Sequence, residues 1–99
     1  MTHVHLIGIG GSGLSAIARL LLESGYTVTG SDRALSPLAA DLQSIGVRVY
    51  IGHEAGQVSG ADFVVRSSAI PDDNPEVQAA LAAGIPVYKR ADFLGKLME

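Results

Sequence analysis

Cysteine is absent from the 99 residues, so neither a disulfide framework nor a thiolate metal site is available, and the chain suits a reducing, cytoplasmic setting. An excess of positive charge is missing too: seven Lys and Arg stand against ten Asp and Glu, a formal net charge of −3, with no basic cluster. Nucleic-acid binding, which rests on cationic side chains displacing counterions from phosphates, is therefore not expected. No apolar run approaches the roughly 20 residues that a helix needs to cross a bilayer. The longest apolar helical stretch, Leu14 to Leu22, is broken by Ser15 and Arg19. The N-terminus lacks the charged-then-apolar order of a signal peptide, and no membrane partner is expected. Catalytic signatures are also missing. There is no His-Glu-x-x-His, no Gly-x-Ser-x-Gly, no Gly-x-x-x-x-Gly-Lys-Ser/Thr loop and no His and carboxylate cluster with metal spacing. These absences predict a binding domain with neither a catalytic group nor a metal site of its own.

What is present suffices for one packed domain: 47% of residues are hydrophobic and 17% charged. A chain this short buries a smaller fraction of its surface than a longer one, so marginal stability or a neighbouring domain is expected. Short apolar runs alternate with segments of helical period, the signature of βαβ units and a parallel sheet. The expected strands are 3–7, 26–30, 47–51, 62–66 and 85–89, each rich in Val, Ile or Tyr. Leu14, Ile17, Ala18, Leu21 and Leu22 form the inward stripe of a first helix that Gly25 stops. A second helix opens with Ser36 as N-cap and Pro37 at its first position; Leu38, Leu42 and Ile45 are expected to face inward, and Gly46 ends it. Asn74 and Pro75 open a third in the same way, with Glu76 in the positive first turn, Val77, Ala80 and Leu81 inward, and Gly84 as stop. Phe93, Leu94, Leu97 and Met98 share a stripe on a last helix, and Glu54 to Ala61 is short and glycine-rich enough to predict a single turn or loop. Right-handed crossovers then give a Rossmann-like, doubly wound five-stranded parallel sheet in three α/β/α layers, order 3-2-1-4-5.

In such sheets ligands bind beyond the carboxyl ends of the strands where the order reverses, here between the first and fourth strands. Gly8-Ile9-Gly10-Gly11-Ser12-Gly13 is a Gly-x-Gly-x-x-Gly run after a strand and before a helix, at that point. Its backbone N–H groups are placed to cradle a phosphate, and the helix N-terminus supplies positive potential that the side chains lack. Alternatively, the glycines serve only a tight turn and close helix packing. Asp32, at the end of the second strand, is placed to accept hydrogen bonds from a ribose or is a plain turn residue. His53, Ser67 and Ser68 follow the third and fourth strands at the same edge, as ligand contacts or ordinary loop residues. His3 and His5 sit away from that edge and are assigned no site role. Arg66 is either buried and paired or emerges at the rim. A nicotinamide-dinucleotide module of a dehydrogenase or redox-sensing regulator uses the same glycine run and acid, so both ligand classes stay open.

Four separated stretches, HLIGIGGSGLSAIARLLLESGYTVTGSD, YIGH, SSAIPDDNPE and IPVYKRADFLGKLM, together resemble the N-terminal domain of the Mur ligase family over nearly the whole chain. The resemblance implies that residues 1–99 form the UDP-substrate domain of a three-domain cytoplasmic enzyme of peptidoglycan synthesis, whose substrate is UDP-N-acetylmuramate and whose added amino acid is L-alanine. ATP and Mg²⁺ are then expected in a central ATPase domain, and a C-terminal domain helps to bind the amino acid. By the same resemblance Gly10, Gly11, Ser12, Gly13 and Leu14 hold the pyrophosphate, Asp32 and His53 lie near the uridine, and Ser67, Ser68, Ala69, Ile70 and Asn74 line the other side. The 99 residues alone are expected to be inactive, with a Gly-x-x-Gly-Lys-Ser/Thr loop within about 30 residues past Glu99.

Overall fold

The computed structural model describes residues 2–97, with the side chains of Ser12 and Leu97 outside that description. Five strands, β1 (His3–Ile7), β2 (Thr27–Asp32), β3 (Arg48–Ile51), β4 (Phe63–Arg66) and β5 (Val87–Lys89), form one sheet of order β3-β2-β1-β4-β5. All four pairings are parallel, as the alternation of runs predicts. Between them run α1 (Ser12–Glu23), α2 (Pro37–Ser44) and α3 (Pro75–Ala82), a 3₁₀ turn at Ala55–Val58 within the stretch expected to hold a single turn or loop, and the closing helix α4 (Arg90–Leu97).

Strand alternation divides the core. Val4, Leu6, Val28 and Val65 point to one face, where Leu14, Ile17, Ala18 and Leu21 of α1, Leu42 of α2 and Phe93 of α4 cover them. Ile7 and Val64 point to the other face and meet Val58 of the 3₁₀ turn with Val77 and Ala80 of α3. Phe63, Tyr88 and Phe93 meet at tilted angles with centroids 5.8–6.3 Å apart, which pins α4 to β4 and β5. Leu94 packs beside them; Met98, assigned to the same stripe, lies outside the described residues.

Several boundaries and faces differ from expectation. β2 runs on to Asp32, because Ser31 and Asp32 still pair with Tyr50 and Ile51. β5 starts two residues late: Pro86 has no N–H to donate, and Ile85 gives its own to Ala80 at the end of α3. Leu38, Ile45 and Leu81 were expected inward but are 41%, 40% and 58% exposed. α2 and α3 have only eight residues each, and their buried positions are Ala39 with Leu42 and Glu76 with Val77 and Ala80. That turns each buried stripe about one residue away from the one that residue size suggests.

Candidate functional site

The glycine run leaves β1 where strand order reverses, and most of its glycines have their own geometric reason. Gly8 has φ +89°, the left-handed region, and with Ile9 donates its N–H to the Ser31 carbonyl at 2.8 and 3.1 Å. Gly10 lies so close to β2 that a Cβ there would stand 2.6 Å from Ser36 Oγ and 2.7 Å from Asp32 Oδ2. A Cβ on Gly13 would stand 2.9 Å from Arg90 Cδ. Gly11 differs. Its φ of −71° and ψ of 148° suit any residue, it is exposed, and a Cβ there would meet only the Gly8 carbonyl, at 3.4 Å.

Gly11 is also the N-cap of α1, a position that favours Ser, Thr, Asp or Asn because a side-chain oxygen can take one of the first-turn N–H groups. Among the described residues no side chain caps α1, whereas Ser36 caps α2 through the Ala39 N–H and Asn74 caps α3 through the Glu76 and Val77 N–H groups. The first turn of α1, residues 12–14, therefore keeps N–H groups that no earlier carbonyl of the helix can accept. Its positive end faces outward next to a cleft of about 980 Å³.

The sequence-assigned residues divide around this turn. Gly11, Gly13, Leu14, Ser67 and Ser68 line the cleft with Lys89 and Arg90. The side chain of Leu14 itself lies in the core. Ser12 opens α1, but its side chain lies outside the description. Ser67 reaches the loop closely, since a Cβ on Gly8 would be 2.9 Å from its Cβ. Its hydroxyl accepts the Ala69 N–H at 3.2 Å and its carbonyl the Ile70 N–H at 3.0 Å, so residues 67–70 form a turn. Arg66 is paired: Nη1 donates to Asp72 Oδ1 at 2.6 Å and Nη2 to the Ile70 carbonyl, tethering that turn to β4. Asn74 is buried with its carbonyl oxygen engaged as the α3 cap.

Asp32 and His53 stand on the other flank of the loop, outside the cleft. Asp32 Oδ2 accepts the Gly10 N–H and Oδ1 the Arg33 N–H, both at 2.8 Å. The Gly52 N–H donates to the Asp32 carbonyl at 2.7 Å, which holds the segment leading to His53 against the end of β2.

Sequence reasoning missed three contributors. Lys89 and Arg90 bring cationic side chains to the cleft wall, although the protein is net acidic. Glu76, read only as a favourable charge in a helix's first turn, is fully buried and joins three elements. Its Oε1 accepts from His5 Nε2 at 2.5 Å, and its Oε2 accepts from Ser31 Oγ at 2.7 Å and His53 Nδ1 at 2.6 Å. Burial alone would raise the Glu76 carboxyl, but the hydrogen bonds from His5, Ser31 and His53 outweigh it and hold the group below its ordinary value. His5, assigned no site role, thus connects through Glu76 to the ligand edge. A polar residue inside an otherwise apolar strand was the available signal; its partner lies 71 positions away. Among the described residues no group of three or more His, Cys, Asp or Glu forms a metal site.

Comparison with known proteins fits this architecture. UDP-N-acetylmuramate–L-alanine ligases of Psychrobacter sp. strain PRwf-1 and Chlorobium luteolum are 52% and 55% identical over 96 and 97 residues, 97% of this chain in both cases. The chain spans about one fifth of the length of those curated relatives, 20% of each. The crystal structure of the UDP-N-acetylmuramate–alanine ligase from Thermotoga maritima superposes with a TM-score of 0.93 at 30% identity, covering 99% of this chain and 23% of that one. The model described as Mur ligase family, catalytic domain, matches residues 3–99. On that match, together with the shared fold, the chain belongs to the Mur ligase family.

Proposed function

We propose that residues 1–99 bind the UDP part of UDP-N-acetylmuramate, as the substrate domain of an ATP-dependent ligase that joins L-alanine to the muramyl carboxylate. The carrying observation is Gly11: an exposed helix N-cap with neither a side-chain cap nor a packing need for glycine, at the switch point of a parallel sheet. A pyrophosphate seated there accepts the first-turn N–H groups of residues 12–14, with Lys89 and Arg90 adding cationic charge from the cleft wall. Asp32 and His53 take the nucleoside end on the β2–β3 flank; Ser67, Ser68, Ala69, Ile70 and Asn74 bound the other side. The names of the relatives support the substrate class, and the chain's one-fifth share of their length supports further domains in the whole protein.

In that whole protein the muramyl carboxylate attacks the γ-phosphorus of ATP, giving an acyl phosphate and ADP. The alanine amine then attacks the acyl carbon, phosphate leaves, and the amine loses its proton. The chain has no Gly-x-x-x-x-Gly-Lys-Ser/Thr loop to hold ATP and Mg²⁺, so its part is to bind and orient the sugar nucleotide. Calorimetric titration tests the reading. UDP or UDP-N-acetylmuramate binds the 99-residue chain and NAD binds more weakly, Asp32→Ala lowers UDP affinity by about 1–3 kcal/mol, and the chain alone shows no alanine-dependent phosphate release from ATP. Tighter binding of NAD than of UDP overturns the assignment in favour of a dinucleotide module.

A further inference from the structure

Glu76 sits in the first turn of α3, fixed there by Pro75 and by the Asn74 cap on its own N–H at 2.8 Å. From that point its carboxylate reaches β1 through His5, β2 through Ser31 and the segment after β3 through His53. An ionised carboxylate has no hydrogen to give, so every group facing it must donate. His5 therefore carries its hydrogen on Nε2 and His53 on Nδ1. In the neutral ring His5 Nδ1 is then an acceptor. It lies 2.8 Å from Thr29 Oγ1, whose hydroxyl donates to it and in turn accepts from His3 Nε2 at 2.7 Å. One carboxylate sets the direction of a hydrogen-bond chain across two strands and the segment after β3.

The His53 end of that network reaches the carboxyl edge of the sheet. His5 and Glu76 are fully buried, whereas the His53 side chain is 19% exposed at the carboxyl edge of the sheet. Its Nδ1 faces Glu76 Oε2 at 2.6 Å and Ser31 Oγ at 3.1 Å, and its Nε2 has no hydrogen-bond partner among the described residues. We propose that Glu76 is a positioning residue for the nucleotide site. By taking the Nδ1 hydrogen of His53 it locks that ring in one tautomer and leaves a bare Nε2 at the sheet edge, an acceptor for an O–H or N–H donor on the nucleoside. This rests on His53 lying at the nucleoside end, as assigned above. A purely structural clamp of α3 onto the sheet would need only the bonds to His5 and Ser31; the third bond fixes a ring that is partly open to solvent. The tautomer also carries specificity, because a ligand presenting only an acceptor at that point would face an unpaired lone pair.

Long-range ¹⁵N spectra of the imidazoles in the ¹⁵N-labelled 99-residue chain at neutral pH test the first half directly. The expected pattern for His53 is a protonated Nδ1 and an unprotonated Nε2; a ring with hydrogen on Nε2, with or without one on Nδ1, overturns the proposal. On titration with UDP the His53 Nε2 resonance is expected to move together with the Gly11 and Gly13 amides. If the glycine amides move and His53 does not, the positioning role fails and phosphate binding at the turn stands; if neither moves, the UDP reading fails and takes the positioning role with it. Glu76→Gln is expected to lower UDP affinity by about 3- to 10-fold, the worth of roughly one hydrogen bond. In a His53→Ala background the same change should lower it no further. An equal loss in both backgrounds means that Glu76 acts only on the fold, and overturns the proposal. If Glu76→Gln does not fold, the spectra of the parent chain decide.

Discussion

Replacing Glu76 by Gln keeps shape and volume while removing one charge, and it measures what the buried carboxylate contributes to the fold. Three donors converge on it, at 2.5 Å from His5, 2.7 Å from Ser31 and 2.6 Å from His53. Gln offers one acceptor oxygen and one donating amide. With the oxygen toward Ser31 and His53, the amide faces His5 Nε2, so His5 must move its hydrogen to Nδ1 and the Thr29 hydroxyl must turn about. Hydrogen bonds to a charged group contribute about 1.5–3 kcal/mol each, against about 0.5–1.5 for neutral ones, so each surviving bond loses about 1 kcal/mol. Relief from burying a charge opposes this loss. The direction of the Glu76 shift decides the sign: its carboxyl is held below the ordinary value of 4.5, so the bonds outweigh burial and the charged form is the favoured one in the fold. Glu76→Gln should therefore cost about 1–3 kcal/mol at pH 7, a fall in Tm of about 4–8 °C per kcal/mol for a domain of this size. A group whose folded value is lowered contributes stability that is present above its unfolded value and lost as pH falls through the folded one. The gap between parent and variant should thus be widest at neutral pH and close as the medium drops well below 4.5. Urea unfolding followed by circular dichroism across that range measures it. A variant as stable as the parent at pH 7, or a gap that widens on acidification, would refute the reasoning.

Gly11→Val should cost no more than about 1 kcal/mol of stability, the loss of a good N-cap residue, because φ −71° and ψ 148° suit a β-branched residue, yet weaken UDP binding at least about tenfold by filling the space before the α1 N-terminus; calorimetry showing parent-like affinity would remove the phosphate from this turn. On α2, Leu38→Lys should change stability by no more than about 0.5 kcal/mol while Leu42→Ala costs about 2–5 kcal/mol, since only the second side chain is buried. Chemical denaturation of the two variants checks that the inward face is Ala39 and Leu42; comparable losses would contradict it.

Local chemistry by itself determined the alternation of strands and helices, the caps at Ser36 and Asn74, the sheet order and the position of the glycine run. Each of these follows from the spacing of neighbours along the chain and from the crossover rule. The loop's importance was legible because Gly8, Gly10 and Gly13 crowd into one turn. Why each is glycine was not legible, since the atoms that crowd a Cβ belong to Ser67 at Gly8, Asp32 and Ser36 at Gly10, and Arg90 at Gly13. The inward faces of α2 and α3 were misjudged at Leu38, Ile45 and Leu81 because large apolar side chains were taken to mark the buried stripe, whereas Ala39 and Glu76 occupy it and Ile45 lies past the end of α2. The Glu76 network lay furthest from view. Its partners are 71, 45 and 23 positions away, on separate elements, and a buried carboxylate is tolerable only where all three donors meet. That convergence follows from the parallel register of β1 with β2 and the docking of α3, which no short stretch of sequence encodes, so only the tertiary structure could decide it.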